Sequence, residues 1–104
     1  MNLVIRQRGN VIAGLNGLLG WDWLYVQVLW VHETQRHSGV GSRLLEQAEC
    51  AARDRGCIGS CLSTFTFQAP DFYSKHGYSD FGQIHDYPDE NTMHFMSKRF
   101  EATP

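Results

Sequence analysis

A chain of 104 residues, 42% hydrophobic and 19% charged, is one small domain that buries about two-thirds of its extended-chain surface. It contains no low-complexity run or repeat. A formal charge of -2 and a pI near 6.2, with basic residues spread from Arg6 to Arg99, exclude the footprint of a nucleic-acid or anionic-membrane binder. The apolar segments, broken by Arg6, Asp22 and Gln27, predict no transmembrane helix, and the N-terminus lacks signal-peptide architecture, so the expected address is the cytoplasm.

Asn2 to Gln7 reads as a strand, Gly9-Asn10 as a turn, and Val11 to Leu19 as a second strand in which Gly14 and Gly17 mark weak points or bulges. These two predict a hairpin. Trp21 to Val31 follows as a third strand, apolar on both faces. Strict alternation puts Trp23, Tyr25, Leu29 and Val31 on one side and Leu24, Val26, Val28 and Trp30 on the other, the pattern of a mid-sheet strand covered by helices.

The segment Arg36-His37-Ser38-Gly39-Val40-Gly41 then opens a helix running from about Gly39 to Arg55. On it Val40, Leu44, Leu45, Ala48, Ala51 and Ala52 recur at three- and four-residue steps. Ser38 is the expected N-cap and Gly56 the C-terminal stop. A strand, a short glycine-bearing loop and a helix start bring free N–H groups and the positive end of the helix dipole to one place, which makes an anion site. Gly39 and Gly41 allow close approach, and Arg36 adds a fixed charge.

Ile58 to Phe65 is the next strand, and a turn of helix from Ala69 to His76 ends at Gly77. Tyr78 to Tyr87 and Thr92 to Phe100 are the last strands, joined by Pro88-Asp89-Glu90-Asn91. Only the tail after Glu101 lacks a folded pattern. The order is β-β-β-α-β-α-β-β in one domain spanning residues 1–104. Cys50, Cys57 and Cys61 form no C-x-x-C pair and are expected as buried or half-buried thiols, and the five histidines lack ligand spacing, so no metal is expected.

That order, with R-H-S-G-V-G opening the first long helix and A-P-D-F-Y-S-K-H-G-Y in the second, resembles the GCN5-related N-acetyltransferase (GNAT) family. Arg36, Gly39 and Gly41 match the family's Q/R-x-x-G-x-G/A loop. Ala69, Phe72, Tyr73, Lys75, Gly77 and Tyr78 match its A-x-x-F-Y-x-K-x-G-F/Y signature. The two motifs in the right order, over roughly Trp23 to Arg99, are a specific signal.

The resemblance implies an α/β (α+β) fold with a mixed, mostly antiparallel sheet flanked by helices, and acetyl-coenzyme A as cosubstrate in a V-shaped opening between strands ending near Val31 and Phe65. It further implies that the main chains of Leu29, Trp30 and Val31 pair with the pantetheine arm, while backbone N–H groups of His37, Ser38, Gly39, Val40 and Gly41, with Ser42, hold the pyrophosphate beside Arg36. Tyr73 takes the family's thiolate-protonating position, and the N–H of Leu29 is the oxyanion donor. The implied reaction is direct transfer of acetyl to a primary amine on a small molecule or peptide.

In some members a catalytic Glu stands where this chain has Tyr25, with Gln27 two residues on, and no carboxylate base is evident. Asp22, Glu33 and His94 are the remaining candidates, and His85 and Asp86 lie near the expected acceptor side. Family members usually begin with a strand and two helices that wall the acceptor cleft, whereas this chain starts at the hairpin. A homodimer is therefore expected, with Trp21, Trp23, Trp30, Phe65, Phe67 and Tyr87 supplying the surface. The alternatives are a noncatalytic acyl-CoA-binding or interaction module and a purely structural dimeric sheet protein.

Overall fold

The computed structural model describes residues 1–65, 70–87 and 90–101. Its strands are β1 (Asn2–Gln7), β2 (Asn10–Gly20), β3 (Trp23–Val31), β4 (Gly59–Phe65), β5 (Ser79–Ile84) and β6 (Met93–Arg99). Helix α1 (Val40–Asp54) joins β3 to β4, helix α2 (Pro70–Lys75) joins β4 to β5, and one 3-10 turn (Glu33–Gln35) precedes α1. The anticipated element order is the observed one. Phe67, Gln68, Ala69, Pro88, Asp89 and the tail beyond residue 101 lie outside the described residues.

The six strands form one sheet in the order β1-β2-β3-β4-β6-β5. Only β3 and β4 run parallel, and α1 is the crossover that such a pair requires. Both long hairpins are antiparallel, so the sheet is mixed and mostly antiparallel. The apolar stripe of α1, Val40, Leu44, Leu45, Ala48 and Ala52, joins Ile5, Ala13, Leu15, Leu24, Val26, Leu62 and Met96 in the core. Burying the Val, Leu, Ile and Met side chains among these stabilises the domain by about 1.5–3 kcal/mol each.

The turn before β3 differs from expectation. Trp21 and Asp22 both have positive φ, 56° and 68°, the signature of the mirror-image turn that matches strand twist, so β3 begins only at Trp23. Trp21 is 99% exposed there.

The larger difference lies inside β3. Gly17 faces Val26 and the preceding Asn16 faces Val28, leaving Gln27 as an extra, unpaired residue: a β-bulge. The bulge shifts the alternation by one. Leu24 and Val26 are buried below it, Leu29 and Val31 pack on the same core above it, and Val28 and Trp30 turn to the other face with Tyr25. The two-sided assignment from strict alternation is thus corrected above Gln27. Nor is the far face covered: Val4, Leu18, Tyr25, Val28 and Trp30 are 43–57% exposed along it.

Helix α1 starts after Gly39, whose φ of 85° no β-carbon tolerates well, so Gly39 and not Ser38 is the cap. The hydroxyl of Ser38 instead donates to the carbonyl of Gln35. At its other end Gly56 stops the helix as expected. The N–H groups of Gly56 and Cys57 donate to the carbonyls of Arg53 and Ala52, a Schellman closure. Helix α2 closes the same way through Gly77 and Tyr78 onto Ser74 and Tyr73. Of the three thiols, Cys57 and Cys61 are half-buried, whereas Cys50 is exposed on α1, against the expectation of burial.

Candidate functional site

β3 and β4 pair only from Trp23–Gly59 to Val26–Leu62. Beyond that rung the bulge at Gln27 bends β3 away, while β4 stays paired with β6 as far as Phe65. The strands part, and a cleft of about 840 Å³ opens between Gln27–Val31 on one wall and Ser63 and Thr64 on the other. Val40, Gly41 and Ser42 of α1, Phe72, Tyr73 and Lys75 of α2, and the loop residues Gln35, Arg36, His37 and Gly39 also line it.

Strand register decides what β3 presents to this cleft. The N–H of His32 donates to the carbonyl of Ile12 at 2.8 Å, and hydrogen-bonded pairs alternate along an antiparallel ladder. Trp30 opposite Gly14 is therefore turned with its main chain toward β2, while Leu29 and Val31 turn their N–H and C=O groups toward the gap left by β4. The main-chain role expected of Trp30 does not fit this register. Its indole instead lies over Gly14, where a β-carbon would come within 2.6 Å of Nε1.

At the start of α1 the first bond within the helix runs from the N–H of Arg43 to the carbonyl of Gly39 at 3.1 Å. The N–H groups of Val40, Gly41 and Ser42 consequently have no carbonyl within the helix to meet. No acidic residue stands in this first turn, and Arg36, His37 and Lys75 line the cleft beside it. Gly41 is small for a packing reason as well: a β-carbon there would stand 3.3 Å from Cγ2 of Val31 and 3.6 Å from the Phe72 ring. Every expected cofactor-contact residue lines the cleft except Ser38, whose N–H and hydroxyl are both committed to Gln35.

Tyr73 is buried on the inner side of α2, held edge-on between Phe72 (5.1 Å between ring centres) and Tyr78 (5.7 Å). Burial pushes its phenol up to about 12, so the hydroxyl remains a donor throughout the neutral range. Beneath it the Tyr78 hydroxyl meets Glu49 and Ser60, each at 2.8 Å, and Lys98 Nζ donates to Glu49 at 2.7 Å. This polar cluster ties α1 to β4, β6 and the end of α2.

Among the described residues no carboxylate lines the cleft. Asp22 sits in the β2–β3 turn and Glu33 in the 3-10 turn, both exposed. His94 bonds Asp80 at 2.7 Å across β5 and β6, which holds the Asp80 carboxyl below its ordinary range. His85 bonds Thr92 at 3.3 Å and, with Asp86, lies past the end of β5. Burial raises the Cys61 thiol, the wrong direction for a nucleophile. No group of three His, Cys, Asp or Glu side chains among the described residues is arranged to hold a metal.

Phe72 packs against the core and also lines the cleft, and His76 reaches Ser42 at 2.8 Å. The second contact spans 34 residues and leaves no local signal in the chain.

Comparison with known proteins places this geometry. Residues 2–80 match the family model described as an acetyltransferase (GNAT) domain. The chain is 46% identical over 93 residues to a blasticidin-S acetyltransferase of Streptomyces morookaense, covering 88% of this chain and 68% of that protein. A crystal structure of an acetyltransferase from Bacillus cereus superposes with a TM-score of 0.94 at 40% identity, over 96% of this chain and 72% of that one. An aminoglycoside 6'-N-acetyltransferase solved with coenzyme A shares the fold, with a TM-score of 0.85 at 16% identity over 99% of this chain and 74% of its own.

Proposed function

The chain belongs to the GNAT family of acetyltransferases, and from that premise we propose that it transfers acetyl directly from acetyl-coenzyme A to a primary amine of a small molecule. One observation carries this reading: the parting of β3 from β4 beyond Val26–Leu62 sets the outward main chain of Leu29 and Val31 in one cleft with the free amides of Val40, Gly41 and Ser42. A strand edge suits the amide groups of a pantetheine arm, and a helix start with Arg36 and Lys75 beside it suits a diphosphate. The residues fit the cosubstrate at both ends.

In the reaction the amine nitrogen attacks the thioester carbonyl, the C–S bond breaks, and the sulfur leaves as thiolate. The N–H of Leu29 donates to the carbonyl oxygen as it gains charge. Tyr73 donates to the sulfur. A phenol near 12 is a weaker acid than an ordinary thiol near 8.5, so Tyr73 lends its proton in the transition state and regains one from the proton the amine gives up. With no carboxylate on the cleft among the described residues, water carries that proton from the amine to Tyr73.

The acceptor is a small amine, as the blasticidin-S and aminoglycoside enzymes' names indicate for those proteins, and it enters beside Val28 and Trp30 on the open face. A second copy of the chain covers that face and completes the acceptor pocket in the cytoplasm. Val4, Leu18 and Tyr25 give the contact an apolar centre.

The test is a thermal shift with coenzyme A, followed by thiol release with a panel of amines. Stabilisation with turnover is the expected result. Stabilisation without turnover on any amine would leave only a coenzyme-binding module, and no stabilisation would remove the reading altogether.

A further inference from the structure

His76, the residue that follows α2, places Nε2 at 2.8 Å from the hydroxyl oxygen of Ser42 in the first turn of α1. Both side chains are half-buried, and the imidazole is braced by the Phe72 ring, 4.9 Å between centres. Ser42 lines the cleft and His76 stands behind it.

Proton counting makes this pair directional. A serine hydroxyl has one hydrogen and a neutral imidazole has one N–H. If Nε2 is bare, Ser42 spends its hydrogen on His76 and shows an anion only lone pairs. If Nε2 carries the hydrogen, Ser42 accepts from His76 and its own O–H is free to turn into the cleft. An anion at the helix start favours the second arrangement.

We propose that His76 is a positioning residue for the coenzyme: its Nε2–H fixes the Ser42 oxygen so that the serine O–H joins the amides of Val40, Gly41 and Ser42 on the diphosphate. This rests on the coenzyme-binding reading above. The brace also explains how α2, which carries Tyr73, is registered against the phosphate end of the cleft. One contact thus links the group on the leaving sulfur to the group on the anion.

The experiment compares coenzyme A with S-acetylpantetheine, which lacks the diphosphate, in the unmodified chain and in His76→Phe, His76→Gln, Ser42→Ala and the His76→Phe/Ser42→Ala pair. His76→Phe keeps a ring on Phe72 and removes the donor. Coenzyme A affinity falls about tenfold in His76→Phe and in Ser42→Ala, as for the loss of one hydrogen bond to a charged group, and no further in the pair. His76→Gln, which keeps an N–H donor, recovers part of the loss, and acetylpantetheine binds all variants alike. In isotope-labelled protein the His76 nitrogens report Nε2–H when coenzyme A is bound. Losses that multiply in the double variant, an equal loss for acetylpantetheine, or a His76→Phe variant binding like the unmodified chain would each overturn the inference while leaving coenzyme binding intact. An unmodified chain that does not bind coenzyme A overturns the underlying reading as well.

Discussion

Glu49 and Lys98 form a 2.7 Å ion pair under α1, with Glu49 almost fully buried and its other oxygen taken by Tyr78. Removing one partner from such a pair leaves a charge without compensation in the interior. Glu49→Ala therefore costs about 3 kcal/mol in chemical denaturation. Glu49→Gln, which keeps an acceptor for Tyr78, costs less. A loss under 1 kcal/mol for the alanine variant would show that water reaches Lys98 freely.

Gly41→Glu puts a β-carbon 3.3 Å from a Val31 methyl that can give way, and a carboxylate where the free amides converge. The expected result is loss of coenzyme A binding with a stability cost of about 1 kcal/mol. Calorimetric titration and a melting curve on one sample separate the two. Retained binding would move the diphosphate off this helix start.

Tyr73→Phe keeps the ring between Phe72 and Tyr78 and deletes only the hydroxyl. Turnover drops about a hundredfold while coenzyme affinity hardly changes. If steady-state rates match the parent, the leaving thiolate takes its proton elsewhere.

Cys61→Ala tests the direct route. The raised thiol and its mid-strand position predict full activity and intersecting initial-velocity lines for both substrates. Parallel lines, with activity lost in the alanine variant, would point instead to an acyl-cysteine intermediate.

Alkaline stability follows from the two buried phenols. Burial raises Tyr73 from 10.0 to about 12 and drives Tyr78 up as well. Below pH 10 both are neutral, folded or unfolded, and their contribution is fully present. Above it the unfolded chain ionises first, so stability declines as pH rises from about 10 toward 12, by about 3 kcal/mol for Tyr73 alone. Denaturation midpoints at pH 9 and pH 11.5, with phenolate absorbance in the native state, measure this. Both tyrosines titrating near 10 with an unchanged midpoint would contradict the burial argument.

Helix α1 was legible because its apolar repeat and Gly56 act locally, and Gly56 closes it by its own backbone geometry. Arg36, Gly39 and Gly41 likewise marked the cleft through residue type and spacing. β3 was only half legible. Its bulge falls on Gln27, with no glycine to announce it, and every residue from Trp23 to Val31 except Gln27 is apolar enough for either face. The parting of β3 from β4 was readable only through the family resemblance, since nothing within either strand alone states where a parallel pair stops. Trp21 looked like strand because its chemistry is that of a strand, while its backbone serves a turn.

The unpaired Gln27 acts as a reading-frame shift in three dimensions. Two aliphatic residues on each side of it, Leu24 and Val26, then Leu29 and Val31, reach one interior because Gln27 bulges out of the alternation instead of taking a place in it. Deleting Gln27 would leave a regular strand in which Leu24, Val26, Leu29 and Val31 still share the interior, but it would shorten the strand by about 3.4 Å and remove the bend that parts β3 from β4. What the extra residue secures is therefore the point at which β3 leaves β4, so directed libraries built on the domain keep the cleft only if they leave this residue count untouched.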